Sequence, residues 1–384
     1  MLSKLSSQRP RRRALIAAAT AAVCMVPVLA GCTSSGGEGA SAEGDSECIS
    51  KATDFIAPYE ALPTQIPDAF TPLNAPPPKQ GSVVALGVGS LPFDIGTAEA
   101  VVDAAKQIGW QGQAIAHDGS VEDLNRKLQQ ALDQKPTAIL LQGQPVGSIL
   151  PAVERAKAEG VILAIASIED KPSGTSGYAA SSNGPNNFAL DADIQANWIM
   201  KDSKCTGNAL MVGLPFPILK ASGDQFLKTM TADCPDCKSD YMVIQSSQAG
   251  TPAATNSIVS ALQADPSIKY VGVQDGSLGL GLSAALKQAG ITGVKIIGLT
   301  PGKQNLATLK SGDSSMWLTL SNGMAAWALM DAVLRVGETG QATQPIAFPP
   351  PMLTSDNVPS EVSDSTTFPA DYQAQFLQRW KVTG

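Results

Sequence analysis

A chain of 384 residues with 43% hydrophobic and 16% charged side chains is globular rather than disordered, and too long for a single open α/β sheet. Its formal net charge is −7, but the first 31 residues hold five cations (Lys4, Arg9, Arg11, Arg12 and Arg13) and no acid, so the remainder carries −12. An acidic surface of that kind argues against nucleic acid or anionic lipid as the partner.

In chain order, a basic segment at 9–13 precedes an apolar run at 14–30, and Leu29-Ala30-Gly31-Cys32 follows. Residues 1–31 resemble a bacterial lipoprotein signal peptide whose lipobox ends on Cys32. The resemblance implies cleavage before Cys32, a diacylglycerol thioether on its sulfur, and attachment to the extracytoplasmic face of the cell membrane. Arg12-Arg13 leaves both the general secretory and the twin-arginine route open. Residues 33–46 are rich in Gly, Ser and Glu and read as a flexible spacer. Residues 47–70 have room for one short helix, and 71–81, with Pro72, Pro76, Pro77 and Pro78, form an extended lead. Residues 32–80 are thus expected to be anchor, tether and lead.

The run Ser-Val-Val-Ala-Leu-Gly-Val at 82–88 is short, apolar and closed by Gly89 and Pro92. Ala98, Val101, Val102, Ala105 and Ile108 then recur at helical steps until Gly109. A second apolar run at 113–116 precedes Val121, Leu124, Leu128 and Leu132 on one helical face. Runs at 137–141 and 161–166, with a helical segment bearing Val153 and Ala156 between them, complete the alternation. Parallel strands need right-handed crossovers, so this predicts an open sheet with helices on both faces. Ligands lie beyond the carboxyl ends of such strands, in the loops after Val88, Ala116, Leu141 and Ala166.

Residues 171–184 are dense in Ser, Gly, Pro and Asn and break the pattern. It restarts with a helix through Ile194, Trp198 and Ile199, and with strands at 209–212, 241–244, 270–273, 294–299 and 316–320. Helices between them carry Phe226, Leu227 and Met230, with Ser222 as a cap, then Ile258, Val259 and Leu262, then Leu278, Leu282, Ala285 and Leu286 up to Gly290. The last long helix is expected at about 324–336. A second series after a break predicts two similar doubly wound α/β lobes.

Beyond Cys24 and Cys32, four cysteines remain in an oxidising compartment: Cys48, Cys205, Cys234 and Cys237. They allow three pairings. Cys234-Pro235-Asp236-Cys237 also has a metal or redox spacing, but no second such pair exists and the only histidine, His117, is remote. Structural disulfides are expected, with a Cys234–Cys237 loop and Cys48 joined to Cys205 preferred.

The order of lipobox, Pro-rich lead, two α/β lobes and a closing Tyr372…Phe376…Trp380 resembles the type I periplasmic solute-binding proteins of ABC transporters, in the ribose-binding-like branch. Leu91-Pro92-Phe93, Ser181-Ser182-Asn183, Leu278-Gly279-Leu280-Gly281 and Val294-Lys295-Ile296-Ile297-Gly298 are similar to that family's motifs. The resemblance covers about residue 80 to the end. It implies two lobes joined by a three-stranded hinge, with one small-molecule ligand buried between them and a permease as partner. The crossings fall near 180–183, 319–322 and 346–350. The N-terminal lobe is expected at 81–181 plus 322–345, and the C-terminal lobe and tail at 183–320 plus about 351–384. Such a protein acts as a monomer, without cofactor or metal.

Carried over from ribose-type members, the ligand-binding set becomes Ser90, Leu91, Phe93, Gln142, Ser167, Glu169, Phe216, Ser222, Asp275, Thr300 and Asn322, with Ser182, Asn183 and Ser321 at the hinge. Several charged family positions are neutral here: Ser167 and Ile168 replace an Asp-Arg pair, Ser222 an Arg, and Thr300 an Asp. Charged groups make strong paired bonds to vicinal hydroxyls, and buried without a ligand they are destabilising. Their loss suits a neutral guest, sugar-like or less polar. Lys220 is the nearest cation to the cleft. Phe93, Phe216 and Trp317 are candidate stacking partners, and His117 is expected at the surface. An exported enzyme is disfavoured: the dinucleotide fingerprint fails at Pro92, and there is no Gly-x-Ser-x-Gly elbow or Walker loop. A sensor of the same fold feeding a signalling receptor is not separable from a transport receptor on sequence.

Overall fold

The computed structural model describes residues 46–168, 170–171, 178–363 and 366–382. The signal peptide, Cys32, most of the spacer and Glu169 lie outside the described residues. The elements run α1 (Ser46–Glu60), β1 (Ser82–Val88), α2 (Pro92–Gln107), β2 (Gln111–His117), α3 (Val121–Asp133), β3 (Ala138–Gln142), α4 (Leu150–Glu159) and β4 (Ile162–Ala166). Then come α5 (Pro185–Ser203), β5 (Asn208–Gly213), α6 (Pro217–Asp233), β6 (Ser239–Val243), α7 (Pro252–Ala264), β7 (Ile268–Val273) and α8 (Leu282–Gln288). The chain closes with β8 (Lys295–Leu299), α9 (Lys303–Ser311), β9 (Met316–Leu318), α10 (Asn322–Thr339), β10 (Met352–Leu353) and α11 (Tyr372–Arg379).

The first sheet is parallel in the order β2-β1-β3-β4. Its central strands are covered on both faces, which is why β3 is buried at every residue. Val83, Ala85 and Leu140 pack toward Val101 and Ala105 of α2 and Trp327 and Val333 of α10. Their neighbours Val84, Leu86 and Ile139 point the other way, to Leu124 and Leu128 of α3 and Val153 of α4. The second sheet runs β10-β9-β8-β7-β5-β6, with only β10 antiparallel. One face packs on α7, α8 and α9 through Ile258, Leu286 and Leu306, and the other on α5 and α6 through Ile199, Phe226 and Met230.

Four helices (α2, α5, α6 and α7) start on a proline at N1, where a missing N–H is harmless and φ is already helical. Pro217 therefore starts α6 one turn before Ser222, the residue expected to cap it. Ser222 is buried inside the helix, and its hydroxyl donates to the carbonyl of Phe188 at 3.0 Å. The helix expected through Leu278 is also split: a single turn at 276–279 ends before Gly281 (φ +72°), and α8 follows.

The chain passes between the sheets three times: from β4 to α5, from β9 to α10, and from α10 to β10. The lead and the tail depart from expectation. The described part of 46–80 packs on both lobes: α1, the short helix expected there, lies on the second lobe, while Ile66, Phe70 and Leu73 are buried in the core of the first. The Ile66 and Leu73 N–H groups donate to Gln375 Oε1 and the Arg379 carbonyl, both at 2.8 Å. The tail divides as well. β10 pairs with β9, but Phe376 and Trp380 of α11 bury their rings on Trp327 of the first lobe, the two indoles stacked at 5.0 Å. Aromatic surface of that size finds its cover on α10, not on the second sheet. Disulfides join Cys48 to Cys205 and Cys234 to Cys237.

Candidate functional site

A cleft opens between the carboxyl ends of the two sheets. The first lobe contributes Leu91, Phe93 and Asp94 from the start of α2, Gln142 and Gly143 after β3, and Ser167 after β4. The second contributes Phe188 and Asp191 from α5, Leu214 to Leu219 around the start of α6, Gln274 and Asp275 after β7, and Thr300 after β8. Leu320 and Pro350, from two hinge crossings, lie at its back. The walls are mostly aliphatic and aromatic, as in small-molecule pockets generally.

The polar groups are tied to one another. Asp94 accepts the Val88 N–H at 2.5 Å and Gln142 Nε2 at 2.9 Å. Burial nevertheless pushes its carboxyl up to about 7, with the charge of Asp275 adding to the effect. Asp275 caps a turn by accepting the Ser277 N–H at 2.8 Å and also holds the Ser277 hydroxyl, and burial raises it too. Gln274 turns inward: its Nε2 donates to the Leu219 carbonyl at 2.9 Å and its Oε1 accepts from the Tyr241 hydroxyl at 3.0 Å. Asp191 differs from these. It is 5% exposed, its carboxyl has no hydrogen-bond or ion-pair partner among the described residues, and burial alone pushes it up to about 8.

Of the residues expected from sequence, Leu91, Phe93, Gln142, Ser167, Phe216, Asp275 and Thr300 line this cleft. Asn322 lines an adjoining recess that shares Phe93, Asp275 and Thr300. Ser90 does not belong to the cleft: it sits exposed in the turn that lets Leu91 point inward. Ser222 is absent from the cleft because its hydroxyl is occupied by Phe188. Glu169 lies outside the described residues. Trp317 is core, its Nε1 donating to Ser314 Oγ at 2.9 Å. Lys220 is exposed and paired with Asp224 along its own helix, so it does not face the cleft. His117 is 5% exposed, not a surface residue, and its Nδ1 accepts the Gly119 N–H at 3.2 Å. Ser182, Asn183 and Ser321 stand at the crossings; Asn183 Nδ2 donates to Ser167 Oγ at 3.2 Å, and Ser321 caps α10.

Sequence reasoning missed Asp94 and Asp191. Asp94 directly follows Pro92-Phe93, inside a loop already marked as functional. Asp191 had one signal: an acid on the helix face that also carries Phe188, Ile194 and Gln195. The expected loss of charge from the cleft is therefore corrected. Acids line the cleft from α2 (Asp94), α5 (Asp191) and the turn after β7 (Asp275).

These features define a two-lobed α/β receptor with one cleft. Residues 83–341 match the family described as periplasmic binding protein domain, and the chain belongs to that family, whose members are extracytoplasmic binding proteins rather than enzymes. The D-apiose import binding protein of Actinobacillus succinogenes is 24% identical over 255 residues, 65% of this chain and 80% of that protein. The xylitol-binding protein of Mycolicibacterium smegmatis is 39% identical over 97 residues, 24% of this chain and 27% of that protein. Solved structures share the fold. An ABC transporter solute-binding protein from Agrobacterium vitis with bound allitol superposes with a TM-score of 0.60 at 18% identity, over 73% of this chain and 97% of that one. The binding protein of the arabinose ABC transporter from Shewanella sp. ANA-3 gives 0.63 at 14% identity, over 79% and 99%.

Proposed function

We propose that this protein is the receptor of an ABC importer: it captures a small, sugar-like molecule between its lobes and delivers it to a membrane permease. The single observation that carries the reading is a cleft whose lining comes from strand ends of both sheets, with residues of two hinge crossings among it. A molecule held there touches both lobes at once, so it stabilises the closed arrangement over the open one. The lobes then present one surface to a permease only when the cleft is filled. The apiose- and xylitol-binding relatives support a hydroxylated ligand, and the lack of Lys or Arg in the cleft lining disfavours an anionic one. Anchoring through a lipid on Cys32 would keep the receptor, as a monomer, on the extracytoplasmic face of the membrane.

The test is solute uptake. Deleting the gene is expected to abolish accumulation of one solute from a panel of sugars and polyols that includes D-apiose and xylitol. Small-angle scattering of the purified protein is expected to show a smaller radius of gyration with that solute. Unchanged uptake of every solute, or chemical conversion of the bound one, would overturn the reading.

A further inference from the structure

We propose that the cleft selects a ligand bearing a protonated amine, an amino sugar or amino polyol, which deepens the receptor reading above and rests on it. Asp94, Asp191 and Asp275 all line the cleft, and among the described residues no Lys, Arg or His does. Among the described residues none of the three carboxylates forms an ion pair, and Lys303 belongs to the adjoining recess that shares Asp275 rather than to the cleft lining.

The hydrogen-bond inventory points the same way. The Gln142 and Gln274 amides donate to Asp94 and the Leu219 carbonyl, and the Ser277 N–H and hydroxyl donate to Asp275. The Ser167 oxygen accepts from Asn183 Nδ2, which leaves its O–H as a donor beside the carboxylates. On α5, the Asp191 carboxyl, which lines the cleft, has no partner among the described residues. A hydroxyl both donates and accepts and brings no charge. An ammonium brings three donors, no acceptor and the missing positive charge. A buried carboxylate left without a partner is destabilising, and a matching cation removes that penalty. The Phe93, Phe188 and Phe216 rings in the lining favour a cation on their faces.

The charge is not arranged for a metal ion. Among the described residues, the only set of three or more His, Cys, Asp or Glu ligand atoms lying within 4.8 Å of one another is Cys48, Cys205 and Cys234, away from the cleft. The three carboxylates are spread around a molecule-sized space instead.

Calorimetry on the purified protein with matched pairs tests this: D-glucosamine against D-glucose, D-galactosamine against D-galactose, and 1-amino-1-deoxysorbitol against sorbitol. In at least one pair the amine is expected to bind tenfold or more tightly than its hydroxyl counterpart, and N-acetylation of the same amine should abolish the advantage. Asp191→Asn should reduce the preference; the N-acetyl comparison needs no variant and stands if that one fails to fold. A neutral member that binds as well as its amine overturns the inference and leaves the receptor standing. Failure of every amine to bind overturns it too, and the uptake experiment then judges the receptor reading on its own.

Discussion

Ser167 and Asn183 hold each other in the left-handed region of the backbone. Their φ values are 58° and 52°, Asn183 Nδ2 donates to Ser167 Oγ at 3.2 Å, and the Ser167 N–H donates to the Ser182 carbonyl at 3.2 Å. Ser167 leaves β4 into the cleft, while Asn183 leads the crossing into α5. Thr300, at the matching end of β8, shares the conformation (φ 50°). For a β-branched residue that is an outlier, and such strain gathers where a fold positions function.

Asn183 separates strain from hydrogen bonding. Asn183→Gly keeps the left-handed backbone and loses only the side-chain bond, so it should cost about 1 kcal/mol in urea unfolding. Asn183→Ala keeps the Cβ, loses the bond and also loses the local polar contacts that let Asn tolerate the left-handed region better than Ala, for a loss of roughly 2–3 kcal/mol. Equal losses for the two variants would show that the crossing relaxes to an ordinary conformation.

Asp191 and Asp94 set a pH dependence on the ligand-free protein. Both carboxyls are raised in the folded state, to about 8 and about 7, from an unfolded value near 4. Between those limits the folded state holds more protons than the unfolded one, so stability falls as pH rises through the window and levels off above pH 8. Asp191→Asn should flatten that slope and raise the stability of the ligand-free protein at pH 8 by on the order of 1–3 kcal/mol. Unfolding midpoints measured from pH 5 to pH 8.5 check this, and a midpoint that climbs with pH would contradict it.

The alternation of strands and helices was legible because doubly covered strands read as unbroken apolar runs; Ala138–Gln142 is the clearest case. The crossing near Asn183 was legible from its Ser, Gly and Asn content. Ser222 was misread because a hydroxyl looks the same in a cap and inside a buried helix, and Pro217 decides which it is. Asp191 was not legible because its meaning lies in what is missing around it, a tertiary property. The same holds for the tail: nothing local to Phe376 or Trp380 says that Trp327, some fifty residues earlier, will cover them.

The two disulfides should differ in weight. Cys48–Cys205 spans 157 residues of sequence and pins α1 to the end of α5, whereas Cys234–Cys237 spans three. Closing the long loop removes far more freedom from the unfolded chain. Replacing Cys48 and Cys205 with serine should cost on the order of 4–5 kcal/mol, against about 2 for Cys234 and Cys237. Urea unfolding of the two double variants decides it, and a reversed order would mean that local packing outweighs chain entropy.

Besides the three hinge crossings, the tail from β10 to α11 and the lead each add a covalent link between the lobes. Cys48–Cys205 and the Lys201–Glu60 ion pair (2.8 Å) fix α1 to the second lobe. Ile66, Leu73 and Thr71 are fixed to the first, through Gln375, the Arg379 carbonyl and Arg335. Residues 61–65 bridge the two anchorages, with Leu62 packed on the second lobe and the Thr64 carbonyl accepting from Gln375 Nε2 at 3.1 Å, and five residues reach at most about 18 Å when fully extended. The lobes cannot part beyond that reach while both anchorages hold. Inserting ten Gly/Ser residues between Leu62 and Pro63 should therefore widen the ligand-free distance distribution between labels at Val121 and Val243, which are exposed on α3 and β6. It should also weaken ligand binding several-fold, because a larger open population must be closed at the expense of binding energy. An unchanged distribution would show that the hinge crossings and the tail set the opening, leaving the lead as a mere passenger on the two lobes.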